Sequence, residues 1–298
     1  MQALIILKYI QRFIWHGLLV VRVGTSSAIL NGKSKERIIA GQVMDYLERF
    51  KTSDKVAIVT GGSKGLGREM ALALGEGGAK VVVTSRSKAL IEETANDITQ
   101  KGGKAIAVST DVKSPESIDA MVQKVLSIYG RVDILINNAG IAPMKYALDT
   151  TVEDWEDVID TNLKSAFLLS KAVGAGMVER HSGKIINIGS ILGTMAANVT
   201  MPYCVTKAGI AQMTRALALE WAPFGINVNC IAPGFFETEM TRQQQEDETH
   251  KKFLRFKIPL KRLGKPEEIV GAAMFLASEA SGYMTGAVLT IDGGYTIW

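Results

Sequence analysis

Residues 55–67 read Lys55-Val-Ala-Ile-Val-Thr60-Gly-Gly-Ser-Lys-Gly-Leu-Gly67, an apolar run followed directly by a glycine-rich turn. A short apolar run rich in β-branched residues predicts a buried strand, and the sequence after Gly67 has helical periodicity. Glycine lets a backbone turn sharply and come close to a pyrophosphate. The spacing T-G-x-x-x-G-x-G departs from the G-x-G-x-x-G dinucleotide pattern, and by itself it is as typical of an ordinary turn. The strand before it and the helix after it favour a dinucleotide-binding turn.

From Lys55 onward the chain alternates short apolar runs with helical patterns, without an internal repeat or a linker between domains. This alternation predicts a single α/β domain, a Rossmann-type doubly wound parallel sheet of about seven strands between two layers of helices. The predicted strands are 56–60, 80–84, 105–109, 134–137, 184–188, 227–231 and 288–291. The predicted helices are 67–75, 88–101, 115–129, 152–178, 203–221 and 266–277. Residues 241–252 are polar and predict a mobile lid.

The composition of the 298 residues, 47% of them hydrophobic, is sufficient for one well-buried domain. Most of the basic excess lies in residues 1–43, where six Lys and Arg stand against Glu36 alone. The rest of the chain is nearly neutral, so we expect no broad basic surface for nucleic acid. Two cysteines, Cys204 and Cys230, and three scattered histidines predict neither a metal site nor a disulfide framework. We expect small core cysteines in a reducing, cytoplasmic compartment.

Residues 1–43 form a separate basic extension with two apolar runs, 3–7 and 13–21. A membrane span needs about 20 apolar residues, and charged and polar residues interrupt this segment, so no span is expected. Three interpretations remain open: an organelle-targeting presequence, an amphipathic helix lying on a surface, or translated sequence upstream of a true start at Met44. We favour the last, because only a short lead separates Met44 from the first strand. The predicted domain is then 44–298.

Tyr203 and Lys207 stand four residues apart in a predicted helix, with Ser190 a short segment upstream. Side chains at this spacing leave the same face of a helix. A phenol, with an ordinary pKa of about 10, is a poor acid–base group at neutral pH, and a neighbouring positive charge favours its ionised form. We therefore predict that Lys207 lowers the pKa of Tyr203 and that the pair serves hydride-transfer chemistry.

The end of the second predicted strand indicates which dinucleotide binds. NAD enzymes place a carboxylate there for the ribose hydroxyls, whereas this chain has Ser85 and Arg86. A guanidinium can hold a 2′-phosphate through two hydrogen bonds, and Lys64 in the glycine-rich turn adds a second positive charge. The alternative is that Arg86 is a surface residue stacked on adenine. We predict NADP as the cofactor, with NAD as the alternative.

The order of motifs resembles that of the short-chain dehydrogenase/reductase family over residues 52–298. The motifs are Thr60 to Gly67, Asp111-Val112, Asn137-Asn-Ala-Gly140, Asn162 within Asp-Thr-Asn-Leu, Ser190, Tyr203-Cys-Val-Thr-Lys207, Pro233-Gly234 and Thr238. Tyr203 is the only one of seven tyrosines with a lysine four places later. The resemblance implies an oxidoreductase that transfers a hydride between a nicotinamide and a secondary alcohol or ketone.

The resemblance also implies roles for individual residues. The expected catalytic residues are Asn162, Ser190, Tyr203 and Lys207. The expected cofactor-binding residues are Thr60, Gly61, Ser63, Lys64, Gly65, Leu66, Gly67, Ser85, Arg86, Asp111, Val112, Asn138, Ala139, Gly140, Tyr203, Lys207, Pro233, Gly234, Phe236 and Thr238. Ser190 and Tyr203 would hydrogen-bond the substrate carbonyl, and Tyr203 would supply the proton. Asn162 would interrupt a helix and hold a water that links Lys207 to solvent.

Within the family, the motifs around residues 153–164, 215–221 and 236–240 look most like gluconate 5-dehydrogenases and related sugar or polyol enzymes. The 3-oxoacyl-carrier-protein reductases are the nearest alternative, but the segment after Gly140 lacks the arginines typical of their carrier-docking site. An alternative of another class is a non-catalytic NADP-binding scaffold or sensor. The resemblance further implies a homotetramer, or a homodimer, formed through the helices at 152–178 and 203–221 and the last strand.

Overall fold

The structure is a computed structural model, which describes residues 12–15, 18–23, 26–30, 46–242 and 248–297. The chain divides into two units, Met1–Arg49 and Phe50–Trp298. The expected boundary between residues 43 and 44 stays a prediction, because Met44 lies outside the described residues.

The first unit contains a three-stranded antiparallel sheet in the order β1-β2-β3. Its strands are β1 (Arg12–Trp15), β2 (Leu18–Val23) and β3 (Ser26–Leu30). β2 is rich in valine, whose branched side chain fits a pleated strand better than a helix. The described part of this segment is therefore not the surface-lying helix that was one of the three interpretations. The other two interpretations stay predictions.

The second unit is built on a seven-stranded parallel sheet in the order β10-β9-β8-β7-β4-β5-β6. Its strands are β4 (Val56–Thr60), β5 (Lys80–Ser85), β6 (Lys104–Ser109), β7 (Ile134–Asn137), β8 (Gly183–Ile188), β9 (Ile226–Pro233) and β10 (Val288–Ile291). The chain runs outward from β4 to β6 and then crosses to β7 on the other side of β4. This reversal opens a crevice at the carboxyl ends of β4 and β7, where sheets of this type bind ligands.

Helices cover both faces of the sheet. They are α1 (Gly65–Glu76), α2 (Lys88–Gln100), α3 (Pro115–Tyr129), α4 (Val152–Ile159), α5 (Ser165–Glu179), α6 (Met201–Trp221), α7 (Glu248–Lys257) and α8 (Val270–Ala277). Successive side chains of β4 point to opposite faces of the sheet and pack in two separate cores. Ala57 and Val59 pack with α1, α2 and α8. Val56 and Ile58 pack with α3, α5 and α6. The predicted three-layer Rossmann fold is confirmed.

Each predicted strand is present, with ends that differ from the prediction by at most two residues. The agreement is closest where local signals are strong, as in α3. Ser114 Oγ accepts a hydrogen bond from Ser117 N at 3.1 Å, Pro115 occupies the first turn, and Gly130 ends the helix with a φ of +74°. These signals fix the helix ends before any tertiary contact forms.

Two helical regions differ from the prediction. The predicted helix 152–178 is interrupted by a π-helical turn, Asp160–Lys164, between α4 and α5. Helix α7 was not predicted; it overlaps the predicted lid only over residues 248–252, and the mobility of that lid stays a prediction. The helix is stabilised by Leu254, which is buried in an apolar cluster with Ile258 and Leu263. The sequence of the helix is mostly polar, so it gives little indication of this tertiary contact.

The described ranges contain no helix with both the length and the apolar character needed to cross a membrane. Over the same ranges, no three His, Cys, Asp or Glu side chains lie together as metal ligands. Cys230 is buried and Cys204 is half-buried, and both are free thiols.

Candidate active site

The glycine-rich turn connects the carboxyl end of β4 to α1, which begins at Gly65. Gly61 and Gly65 have φ values of +64° and +56°, in the left-handed region that favours glycine. No side chain caps the start of α1, and its first turn carries no acidic residue. The backbone N–H groups at this helix start are therefore suited to an anion such as a pyrophosphate.

Gly67 is required by a close approach between two loops. A Cβ at this position would lie 2.3 Å from both Asn138 Nδ2 and the Gly61 carbonyl oxygen. Asn138 Nδ2 donates hydrogen bonds to the carbonyl oxygens of Thr60 at 2.9 Å and Gly61 at 3.1 Å. The glycine turn and the loop after β7 are thus held together, and no side chain at position 67 fits between them.

Thr60 joins the same two loops from the buried side. Its hydroxyl oxygen accepts hydrogen bonds from Asn138 N at 3.0 Å and Ala139 N at 3.1 Å, and its hydroxyl donates to Ile136 O at 3.3 Å. Thr60 does not line the cavity beside the turn. The geometry therefore makes Thr60 a residue that positions the turn, and its expected role in cofactor binding stays a prediction.

A cavity of about 320 Å³ lies at the carboxyl ends of the strands, a volume within the range of small-molecule sites. It brings together most of the residues that the sequence singled out. Those that line it are Gly61, Ser63, Lys64, Gly65, Leu66, Gly67, Ser85, Arg86, Asp111, Val112, Asn138, Ala139, Gly140, Ser190, Tyr203, Lys207, Pro233, Gly234, Phe236 and Thr238. Thr60 and Asn162 lie behind its wall.

Ser190, Tyr203 and Lys207 meet at one part of this cavity. The Lys207 ammonium lies 5.4 Å from the centroid of the Tyr203 ring, as expected for two side chains on one helix face. Lys207 Nζ also donates a hydrogen bond to the carbonyl oxygen of Ile188, at 2.7 Å, at the end of β8. Ser190 Oγ accepts from Leu192 N at 3.1 Å, which orients its hydroxyl, and its side chain is near enough to Tyr203 to favour a lower pKa of the phenol.

The low pKa predicted for Tyr203 is wrong. Burial raises the pKa of Tyr203 to about 12, and Cys204 adds to the rise, whereas the hydrogen bond with Ser190 acts in the opposite direction. Burial also lowers the pKa of Lys207 to about 8, and the neighbouring Cys230 opposes that change. The desolvation of the phenolate thus outweighs the nearby amine, and Tyr203 is a protonated phenol at neutral pH.

Asn162 lies in the π-helical turn between α4 and α5 and is buried. Its Oδ1 accepts from Ile141 N at 2.8 Å, and its Nδ2 donates to Ile141 O at 2.9 Å and to Thr206 Oγ1 at 3.2 Å. Asn162 therefore interrupts the helix, as the sequence predicted, and holds the loop after β7 against α6. The expected water between Asn162 and Lys207 stays a prediction.

The other end of the cavity is positively charged. Arg86 follows β5 and Lys113 follows β6, and they are close enough for Arg86 to oppose protonation of Lys113. Asp111 Oδ1 accepts from the backbone N of Lys113 at 3.0 Å, which fixes this loop. With Lys64 from the glycine turn, three cations line the cavity where the adenosine half of a dinucleotide is expected. Together with the uncapped start of α1, they fit a phosphate-bearing dinucleotide.

The post-β9 loop, residues 234–242, closes the remaining wall. Phe236 is buried, Thr238 and Met240 also line the cavity, and Thr241 Oγ1 donates to the carbonyl oxygen of Phe236 at 2.5 Å. Phe235 instead packs against Tyr295, with ring centroids 5.2 Å apart. Some apolar residues of this loop therefore line the cavity, and others pack against the body of the domain.

The cavity has further lining residues that the sequence did not single out as cofactor or catalytic residues. They are Thr110, Lys113, Ile141, Thr161, Ile188, Gly189, Glu239, Met240 and Thr241. Each stands within three positions of a recognised motif. For all but Thr161, the signal that could have found them is that they end or follow a parallel strand, because the carboxyl ends of these strands meet at one edge of the sheet; Thr161 lies in the π-helical turn beside Asn162.

Comparison with known proteins agrees with this geometry. A family model described as enoyl-(acyl carrier protein) reductase matches residues 61–296. The 3-oxoacyl-(acyl-carrier-protein) reductase FabG of Vibrio cholerae is 41% identical over 240 residues, 80% of this chain and 96% of that protein. The 2-dehydro-3-deoxy-D-gluconate 5-dehydrogenase of Pseudoalteromonas atlantica is 39% identical over 251 residues, 84% of this chain and 98% of that protein.

A solved structure of a gluconate 5-dehydrogenase from Burkholderia cenocepacia, in complex with NADP and tartrate, has a TM-score of 0.82 and 34% identity. The match covers 85% of this chain and 99% of that one. The chain belongs to the short-chain dehydrogenase/reductase family. It is an oxidoreductase of the type that interconverts CH–OH groups and carbonyls, which confirms the class expected from the sequence.

Replacing Gly67 with alanine tests the close approach in the glycine turn. We expect Gly67→Ala to weaken NADPH binding about tenfold or more, because its Cβ forces Asn138 and the turn apart. Fluorescence titration with NADPH measures the Kd. Gly271→Ala in α8 is the control, since a Cβ there meets nothing within 4 Å, and its Kd should match that of the wild type. A normal Kd for Gly67→Ala would contradict the tight fit.

Proposed function

We propose that this protein is an NADP(H)-dependent oxidoreductase that interconverts a ketone and a secondary alcohol of the sugar-acid, polyol or a related class. One observation carries the proposal: Ser190, Tyr203 and Lys207 meet in the same cavity as the glycine turn. That arrangement places a proton donor and a site for a dinucleotide within one small-molecule pocket. The dinucleotide, when bound, supplies or accepts the hydride.

In this proposal Tyr203 supplies the proton in carbonyl reduction. With a pKa of about 12 it is protonated at neutral pH, so its hydroxyl can hydrogen-bond a carbonyl oxygen and then transfer the proton. Ser190 supplies a second donor to the same oxygen, because its own oxygen is already oriented by Leu192 N. Two fixed donors stabilise negative charge that develops on that oxygen.

Lys207 and Asn162 support this donor in the proposal. Lys207 has a pKa of about 8 and is therefore largely charged at pH 7, beside the Tyr203 ring. A charge at this place stabilises the phenolate that remains after proton transfer. Asn162 holds the loop after β7 through Ile141 and reaches α6 through Thr206, one residue from Lys207. We propose that it positions the lysine for reprotonation of Tyr203.

The preference for NADP is supported by charge. Arg86, Lys113 and Lys64 line one end of the cavity, and the strand end after β5 has no carboxylate to accept ribose hydroxyls. The Burkholderia cenocepacia relative was solved in complex with NADP. NAD stays the alternative cofactor.

The substrate class is supported by the sugar-acid dehydrogenases among the relatives. The second candidate, a 3-oxoacyl-carrier-protein reductase, is supported by the identity with the Vibrio cholerae enzyme. An acidic carrier requires free cations near the cavity mouth. In the segment after Gly140 the nearest cation is Lys145, which is bound to Asp154 at 2.5 Å. This ion pair favours the small-molecule substrate.

Three further expectations remain predictions: a homotetramer or homodimer, a cytoplasmic location, and no binding of nucleic acid. The non-catalytic scaffold is disfavoured, because a scaffold does not require Ser190, Tyr203 and Lys207 to line one cavity.

Replacing Tyr203 with phenylalanine tests the proton donor. Tyr203→Phe removes one hydroxyl, and we expect kcat for carbonyl reduction to fall by about 10² to 10⁴ while the Kd for NADPH stays near normal. Tyr283→Phe is the control, since Tyr283 is fully exposed, and it should keep full activity. Turnover above a tenth of the wild-type value in Tyr203→Phe would remove Tyr203 from the proposed role.

Reversing the charge at position 86 tests the cofactor preference. For Arg86→Asp we expect the ratio of kcat/KM with NADPH to that with NADH to fall about 10- to 100-fold, because a hydrogen-bonded charge is lost and a like charge is introduced. Lys104→Asp, at the opposite end of the sheet, makes the same charge reversal as a control and should leave the ratio unchanged. An unchanged ratio in Arg86→Asp would mean that Arg86 does not touch the phosphate.

A substrate panel separates the candidate functions. NADPH oxidation is followed with keto-sugar acids, ketoses, small diketones and acetoacetyl thioesters. We expect kcat/KM to be highest for a keto-sugar acid or ketose, since Lys145 is held in an ion pair. A preference for the thioester would favour the carrier-protein reductase. Tight NADPH binding without turnover of any compound would favour the scaffold.

A further inference from the structure

Lys64 and Glu239 join two walls of the cavity. Lys64 belongs to the glycine turn after β4, Glu239 belongs to the post-β9 loop, and both line the cavity. Lys64 Nζ lies 2.5 Å from Glu239 Oε2. The backbone of the turn also approaches the Thr238 side chain beside this pair, because a Cβ at Gly65 would lie 3.5 Å from Thr238 Cγ2. The ion pair therefore fastens the loop to the turn.

Lys64 is one of the three cations at the end of the cavity proposed to bind the phosphate, and this ion pair occupies it. The hydrogen bond and charge of Lys64, with a smaller contribution from Arg242, hold the pKa of Glu239 below its usual range. Glu239 is thus ionised at neutral pH and competes for Lys64 with any other anion. Lys113 is similarly paired with Asp157, at 2.8 Å. Arg86 has no such carboxylate partner among the described residues.

We propose that Glu239 is a cofactor-selectivity residue that holds Lys64 until the 2′-phosphate of NADP displaces it. The inference rests on the NADP preference proposed above. An ammonium bound to a carboxylate has to give up that partner before it binds a phosphate, so NADP binding exchanges one anion for another. NAD has no 2′-phosphate and leaves the ion pair intact. Glu239 therefore lowers the affinity for NADP and leaves that for NAD unchanged.

The exchange also links cofactor identity to the post-β9 loop. Thr238 and Met240, on either side of Glu239, line the cavity. When Glu239 lets go of Lys64, this part of the loop loses its ion pair with the glycine turn. The size of the effect is limited by solvent, because the Lys64 and Glu239 side chains are 62% and 53% exposed. Exposed ion pairs contribute little, so the expected change in affinity is about two- to fivefold.

Equilibrium binding tests the proposal without turnover. The Kd values of NADPH and NADH are measured by fluorescence titration at one ionic strength for the wild type, Glu239→Gln and Glu239→Ala. We expect both variants to bind NADPH about two- to fivefold more tightly and NADH as the wild type does. Glu267→Gln is the matched control, since it removes an exposed carboxylate outside the cavity, and both of its Kd values should be unchanged.

A Lys64→Met background identifies the partner through which Glu239 acts. If Glu239 acts by holding Lys64, Glu239→Gln changes nothing in this background. Tighter NADPH binding that persists there would show a direct repulsion of the phosphate and overturn the proposal. Equal shifts for NADPH and NADH, or no shift for either, would also overturn it. Failure of the NADP preference itself is recognised separately, by a wild type that prefers NADH and an Arg86→Asp variant that does not change.

Discussion

The site depends on the hydrogen bonds that tie the end of β4 to the end of β7. The Thr60 hydroxyl accepts from two backbone N–H groups of the loop after β7, and the Asn138 amide returns two hydrogen bonds to the glycine turn. These bonds lie at the point where the strand order reverses, so they fix the distance between the two loops that form the crevice. Gly67 is a consequence of them, since the two loops leave no volume for a side chain there.

Burial controls the chemistry of the site more than charge does. Lys207 is buried and Tyr203 is half-buried beside the cavity, and the pKa of each is shifted toward the neutral form of its side chain. A protonated phenol is suited to donate to a carbonyl oxygen, which is the role proposed for Tyr203. At the other end of the cavity Lys64 and Lys113 are more exposed, and each forms an ion pair, with Glu239 and Asp157 respectively.

Much of the fold was predictable, because parallel strands buried on both faces appear in the sequence as short, continuous apolar runs between helical patterns. The ends of α3 were predictable for a similar local reason, a cap, a proline and a glycine. Helix α7 was not, since its polar sequence becomes helical only when Leu254 is buried with Ile258 and Leu263. The interruption at Asn162 lies inside a continuous helical pattern, so it was expected only from the family resemblance, and its contacts with Ile141 and Thr206 appear only in the folded structure.

The sequence by itself determined the family, the layered fold and the identity of most cavity residues, because glycine spacing and the Tyr203–Lys207 interval are local properties of the chain. Tertiary structure decided which of those residues face the cavity and in which protonation state. Thr60 lies behind the turn and not on the cavity wall, and Tyr203, which was expected to be acidic, has a pKa raised by burial. Both outcomes depend on burial and on partners distant in the chain, and neither quantity exists until the strands have assembled.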